Sequence, residues 1–263
     1  MRKDEKQVAV VDFASYEESV PDAMRQICAE EALSEQKRVI IKPNLLNLSE
    51  PPTTTDVRCV AAVAKFCREC CSSAKIIVAE GSGGADTNEC YRKLGYEEII
   101  GKMNIPLVDL DREPTVKLKS NQATVFKNIY LPKIILEGFL ISVPVLKDHT
   151  ITGVTISLKN LVGLLPEKYY SGYWSYKKSM IHKDDVEAAI VDINQYRPID
   201  LAVIDAAIGQ VESHMSGPHA DPPVAKIIAG TDTIEVDKLG AQLLGHDWRD
   251  IEHIRIAEAR LRI

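Results

Sequence analysis

Lys147, His149 and Lys159 are the residues whose types and spacing most directly suggest chemistry. They lie in residues 141–166, ISVPVLKDHTITGVTISLKNLVGLLP. An apolar run over 139–143 stops at Pro144, and Lys147, Asp148, His149 and Thr150 follow. Thr152-Gly153 then opens a second apolar segment that ends at Lys159, Asn160 and Gly163. The pattern reads as a buried strand that passes through a polar turn into a helix N-terminus. Such a turn is expected to floor an anion-binding site, and an active site. Lys147 and Lys159 would hold a carboxylate or phosphate, or depress a neighbour's pKa. His149 would act as a general base, since an unperturbed imidazole titrates near ~6.5. The plainer alternatives are lysines whose stems pack while their heads reach water, and a histidine that closes a turn. Asn160 is either a substrate hydrogen-bonder or a helix C-cap.

Other strand ends carry polar residues of the same kind. The β-branched run 39–41 ends in Lys42-Pro43-Asn44, which would orient ligand oxygens or close a turn. The strand over 75–79 ends at Glu80, followed by Gly81-Ser82-Gly83-Gly84 and a helix from about Thr87. Strand, glycine loop and helix together can present backbone N–H groups to an anion. The pattern is neither G-x-G-x-x-G nor a P-loop, so the motif by itself is weak. The strand over 201–204 ends at Asp205. In open α/β sheets ligands bind beyond the carboxyl ends of the strands, so these termini are expected to share one crevice. The expected ligand contacts are Lys42, Asn44, Thr55, Asp56, Glu80, Gly81, Ser82, Thr152, Asn160, His182 and Asp205. Thr55 or Asp56 also has a plainer use, capping a helix over 57–71, and His182 has one before a helix over 184–196.

A divalent metal would find ligands in Glu212, His214 and His219, although that spacing matches no standard motif. Cys67, Cys70 and Cys71 fall on the predicted helix and, with Cys59 and Phe66, read as core thiols. The tyrosine-rich stretch with Lys168, Tyr169, Tyr170, Tyr173, Trp174, Tyr176, Lys177 and Lys178 is expected to be a lid or an oligomer contact.

These groups need a scaffold. At 263 residues the chain can bury one α/β domain spanning 1–263, or two lobes sharing a cleft. Buried apolar strands alternate with amphipathic helices, which predicts a mostly parallel sheet flanked by helices. Short alternating segments within about 105–130 predict a small antiparallel insertion, with Asn121-Gln122 in its turn. Asp250 is expected to cap a last helix. The apolar content is 45% and the charged content 27%, ordinary for a soluble protein. A net charge of −6 argues against a broad nucleic-acid or anionic-membrane surface. The opening MRKDEKQVAVVDF lacks the apolar core of a signal peptide, and no apolar run reaches the ~20 residues of a membrane span. The expected location is cytoplasmic, with six reduced cysteines.

The run PVLKDHTITGVTISLKNLVG resembles the signature of the DUF362 family. IKPNLL at 41–46, TTTDVRCVAAV at 53–63, VAEGSGG at 78–84, LAVIDAAIG at 201–209 and IIAGTDTIEVDKLGAQLLG at 227–245 extend the match in order. The resemblance implies an α/β fold and says little about reaction. Many relatives carry a ferredoxin-like 4Fe-4S segment; the C-x-x-C-x-x-C-x-x-x-C-P run is absent here, so an intrinsic 4Fe-4S cluster is not expected. A more remote similarity is to the nickel-pincer lactate racemases, which also place lysine and histidine in an α/β cleft. The resulting expectation is an enzyme of redox or anaerobic-type metabolism acting on a small anionic metabolite or cofactor. The alternative is a non-catalytic protein that binds or delivers a cofactor or metal and docks a ferredoxin-like partner. A homo-oligomer is compatible with either.

Overall fold

The computed structural model describes residues 7–173 and 177–262. Trp174 and Tyr176 of the aromatic stretch, and the first six residues, lie outside the described residues. The strands are β1 Val8–Asp12, β2 Arg38–Pro43, β3 Lys75–Glu80, β4 Leu107–Asp109, β5 Thr115–Lys119, β6 Asn128–Pro132, β7 Phe139–Val143, β8 Val145–His149, β9 Gly153–Thr155, β10 Leu201–Gln210 and β11 Lys226–Gly230. The helices are α1 Tyr16–Gln26, α2 Ala29–Ser34, α3 Val57–Cys70, α4 Thr87–Lys93, α5 Tyr96–Lys102, α6 Ser157–Asn160, α7 Glu167–Tyr170, α8 Val186–Tyr196, α9 Thr233–Leu243 and α10 Glu252–Arg260.

The main sheet runs β1-β11-β10-β7-β2-β3-β4. Its β10-β7-β2-β3-β4 stretch is parallel. β11 joins it antiparallel and carries β1 at the edge. Successive residues of a strand point to opposite faces, and here both faces are covered. Val39, Ile41, Val78, Ile141 and Val203 face α1 and α3. Ile40, Ile77, Leu140, Ala202 and Ile204 face α8, α9 and α10. The predicted antiparallel insertion is the separate β5-β6 hairpin, and Asn121-Gln122 lies between its strands. Its start lies later than expected, because Leu107–Asp109 is instead a parallel edge strand of the main sheet.

Helix caps follow the sequence closely. Ser15, Asp56, Asp86, Asp185 and Asp232 each accept a first-turn amide. Asp250 does not cap α10; it ends a 3-10 turn, and Ile251 takes the N-cap position without a side-chain bond. Among the described residues no helix is long and apolar enough to cross a membrane.

The largest departure from the sequence reading concerns residues 145–155. Lys147, Asp148 and His149 sit in β8 rather than in a turn. Pro144 lacks an N–H and interrupts the ladder, but its carbonyl accepts the Asp205 amide at 2.9 Å, so the chain stays beside β10. β8 pairs parallel to β10 and antiparallel to β9. Gly153, at φ +72°, makes the return between β8 and β9; a Cβ there would also strike Ile251.

Candidate functional site

A cavity of about 440 Å³ opens at the carboxyl ends of β2, β3 and β8. Its lining includes ten of the residues singled out in the sequence: Lys42, Asn44, Glu80, Gly81, Lys147, His149, Lys159, Asn160, His182 and His214. Five of the expected ligand contacts, Thr55, Asp56, Ser82, Thr152 and Asp205, lie outside this lining. Thr55 Oγ1 accepts the Asn44 amide and donates to the Val143 carbonyl, tying β2 to β7. Asp56 caps α3 and pairs with Arg58 at 2.6 Å. Ser82 donates to the Leu46 carbonyl, and Thr152 sits in the β8–β9 turn.

Asp205 is the clearest correction among them. β10 does not end there but continues to Gln210, and strand alternation turns Asp205 toward α1 and α3. It accepts Tyr16 Oη at 3.0 Å and the Asp56 amide at 3.2 Å. Burial pushes its carboxyl up to about 6. Asp205→Asn would place an amide donor against a backbone donor. It is expected to cost about 1–3 kcal/mol of stability in urea unfolding. Affinity of the cavity for sulfate is expected to stay within about twofold; a larger loss would return Asp205 to the site.

The cavity floor is a saturated polar knot. Lys42 Nζ reaches Glu80 Oε1 at 2.8 Å, Asn160 Oδ1 at 3.0 Å and the Pro43 carbonyl at 2.9 Å. Glu80 also accepts the amides of Leu45 and Gly81. Asn160 Nδ2 donates to the Lys42 carbonyl and Ser142 Oγ. Asn160 thus clamps α6 to β2 and β7 from within the cavity lining, and the C-cap position of α6 is taken by Leu161 instead. Gly163 packs so tightly here that a Cβ would land on Glu80 Oε1 and 2.6 Å from Lys42 Nζ.

α6 is only four residues long, too short to hold itself. Asp237 of α9 fixes it by accepting the amides of Ser157 at 2.9 Å and Leu158 at 3.0 Å, together with Ser157 Oγ. This cap from a distant helix sets where Lys159 points, and no local sequence signal announces it.

Lys147 and Lys159 differ from Lys42. Lys147 is 1% exposed and, among the described residues, donates only to the Thr53 carbonyl, at 2.6 Å. Lys159 is 8% exposed and has no hydrogen bond or ion pair among the described residues. Burial lowers the Lys147 ammonium to about 7, and the nearby Lys159 charge adds to the effect. Burial lowers Lys159 to about 8, against the opposing influence of Glu187. Glu187 itself holds His253, through the amide and the ring Nδ1.

His149 Nδ1 accepts the amides of Ile151 and Thr152 at 3.1 and 3.2 Å. An Nδ1 acting as acceptor places the ring proton on Nε2. The ring stacks on His214 with centroids 3.8 Å apart. Burial, then the charges of Lys159 and neighbouring histidines, hold His149 far below its ordinary value. His214 is lowered to about 4 and His182 is lowered as well, both chiefly by burial. Burial thus favours the neutral imidazoles, and with its Nδ1 taken by two amides His149 is left with Nε2–H as a hydrogen-bond donor. The expectation that it is a ready general base has this geometry against it.

Glu212, His214 and His219 do not converge. The Glu212 amide donates to Asp148, His214 joins the stack, and His219 forms a bridge with Gln210. Among the described residues no group of three His, Cys, Asp or Glu is placed to hold a metal ion. Cys59, Cys67 and Cys71 lie in the core, where burial holds their thiols above the ordinary value. Sequence reasoning missed Thr155 and Met215 of the lining. Lys177 and Lys178 were read only as part of the aromatic stretch. Lys178 Nζ is tied to Asp111 at 2.9 Å and to the Gly163 and Leu165 carbonyls, closing one wall.

A family described as a domain of unknown function, DUF362, matches residues 39–242. The chain belongs to the DUF362 family. This DUF362 chain is 26% identical over 215 residues to a thylakoid-associated protein of Synechocystis sp., covering 80% of this chain and 64% of that one. It thus spans somewhat under two thirds of that relative's length. Among solved structures it is similar to the lactate racemase apoprotein from Thermoanaerobacterium thermosaccharolyticum. That match has a TM-score of 0.56 and 11% identity, covering 92% of this chain and 58% of the other. The likeness is one of fold.

Proposed function

We propose that this DUF362 protein is an enzyme acting on a small anionic metabolite or cofactor bound between Lys147 and Lys159. The observation that supports this reading is two buried lysines with no ion pair among the described residues, opening on one cavity. Burying ammonium groups without partners is costly, and sites that bear such costs are commonly functional. Lys159 would neutralise the anion. Lys147, held at about 7 by burial, is matched to proton transfer near neutral pH. His149 would donate its Nε2–H to a ligand oxygen as charge develops there. Asn44 Oδ1 and His214 Nδ1, both buried without a hydrogen-bond partner among the described residues, would accept from a ligand hydroxyl. The structural relative acts, by its name, on lactate, a small hydroxy acid of this kind.

The test is ligand capture followed by mutation. The purified chain is denatured and its released small molecules are identified by mass spectrometry. The recovered compound is expected to be anionic, and Lys159→Gln to release it. With that compound as substrate, His149→Asn is expected to lose turnover while keeping affinity within about fivefold. A neutral compound retained equally by Lys159→Gln would overturn the reading. Unchanged chemistry in a bound, inert protein would favour a carrier.

The lysines also dictate a pH effect on the empty protein. In the unfolded chain each holds its proton to about 10.4, but in the fold only to about 7 or 8. Between those values the unfolded chain binds more protons, so stability rises with pH, by up to ~1.4 kcal/mol per unit for each lysine. Urea midpoints measured from about pH 7 to about pH 9 are expected to rise, and to flatten in the double variant Lys147→Met/Lys159→Met. A slope unchanged by the double substitution would remove the lysines as its cause.

A further inference from the structure

We infer that the ligand of this cavity is a dianion, a phosphate monoester or a dicarboxylate, seated with its charge shared by Lys147 and Lys159. The inference rests on the proposed anion site and narrows it through charge balance. The other charged groups of the lining come in neutral pairs. Lys42 meets Glu80 at 2.8 Å, Lys178 meets Asp111 at 2.9 Å and Lys177 meets Glu167 at 2.9 Å. Lys147 and Lys159 have no such partner among the described residues. Glu187 acts on Lys159 through space without an ion pair to it among the described residues, and its Oε2 accepts the His253 amide and meets the ring at 2.7 Å.

With both lysines protonated, the cavity therefore carries two positive charges, neither held in an ion pair among the described residues. A monoanion would leave one of them buried and unbalanced. A dianion neutralises both, and each neutralisation is strengthened by removal from water. The overall charge of −6 makes the contrast sharper, since nonspecific attraction of anions to this surface is weak. The donors suit the same ligand. Lys159 has its three N–H bonds uncommitted among the described residues, Lys147 commits one, and the His149 proton lies on the nitrogen away from its backbone contacts. The volume, about 440 Å³, suits a metabolite rather than a polymer.

The experiment uses pairs matched in shape and differing in charge. Isothermal titration of the full chain near neutral pH compares methyl phosphate with methyl sulfate, and succinate with its monoamide. In at least one pair the dianion is expected to bind at least about tenfold more tightly, and the responding pair tells phosphate from dicarboxylate. In Lys159→Gln the preference is expected to fall to about threefold or less. Lys147→Met provides the same readout if Lys159→Gln folds poorly. Equal affinity within both pairs overturns the dianion while leaving the anion site intact. A preference that survives both substitutions overturns the assignment of the two lysines. If none of the four probes binds, the anion-site reading falls with it.

Discussion

Lys42→Met is expected to lower stability by about 3–5 kcal/mol, the largest loss among the cavity residues. Glu80 is 2% exposed, and the substitution leaves its carboxylate buried with, among the described residues, only the Leu45 and Gly81 amides. Asn160 Oδ1 and the Pro43 carbonyl each lose a donor at the same time. The damage should spread, because this knot joins β2, β3 and α6. The double variant Lys42→Met/Glu80→Gln removes the stranded charge but keeps an acceptor for the two amides. It is expected to recover roughly half of the loss. Urea unfolding of the wild type, both single variants and the double variant measures the coupling. A Lys42→Met protein within about 1 kcal/mol of wild type would show that the ion pair does not hold the cavity floor.

Lys147→Met has the opposite sign. Met keeps the length and apolar character of the lysine stem, so packing changes little. The hydrogen bond to Thr53 is lost, but a buried amine with no ion pair among the described residues is removed, and the repulsion between it and Lys159 is relieved. Empty Lys147→Met is expected to gain about 1 kcal/mol of stability near pH 7, while its affinity for sulfate falls at least about thirtyfold. Stability gained where binding is lost is the signature of a residue kept for function. A variant that is destabilised and binds sulfate normally would make Lys147 a structural residue.

The contrast between these lysines explains what could be read from the sequence. Strand ends rich in β-branched residues announced β2 and β3, and placed Lys42 and Glu80 at one crevice. The helix cap at Asp56 was legible because a cap is a local interaction. The roles of the site residues were not local. That Lys42 is paired while Lys159 is not depends on contacts 38 and 118 residues apart. Asp205 was misplaced because an apolar strand ending in a carboxylate looks the same as one that continues through it. The polar stretch Lys147–His149 was read as a turn because Pro144 normally ends a strand. Here its carbonyl keeps the chain in the sheet, so the polar residues lie along β8. His149 retains its place in the cavity but changes its expected role, since two backbone amides occupy its Nδ1.

The most direct measurement is the affinity of the native protein for sulfate as a function of pH, by isothermal titration from about pH 6 to about pH 9. Sulfate keeps one charge state across that range, so any change belongs to the protein. If Lys147 and Lys159 grip the anion, binding weakens as they lose their protons, with the decline centred near 7 to 8. The same titration takes up protons from the buffer on the alkaline side. A flat profile without proton uptake would mean that those two ammonium groups do not hold the ligand.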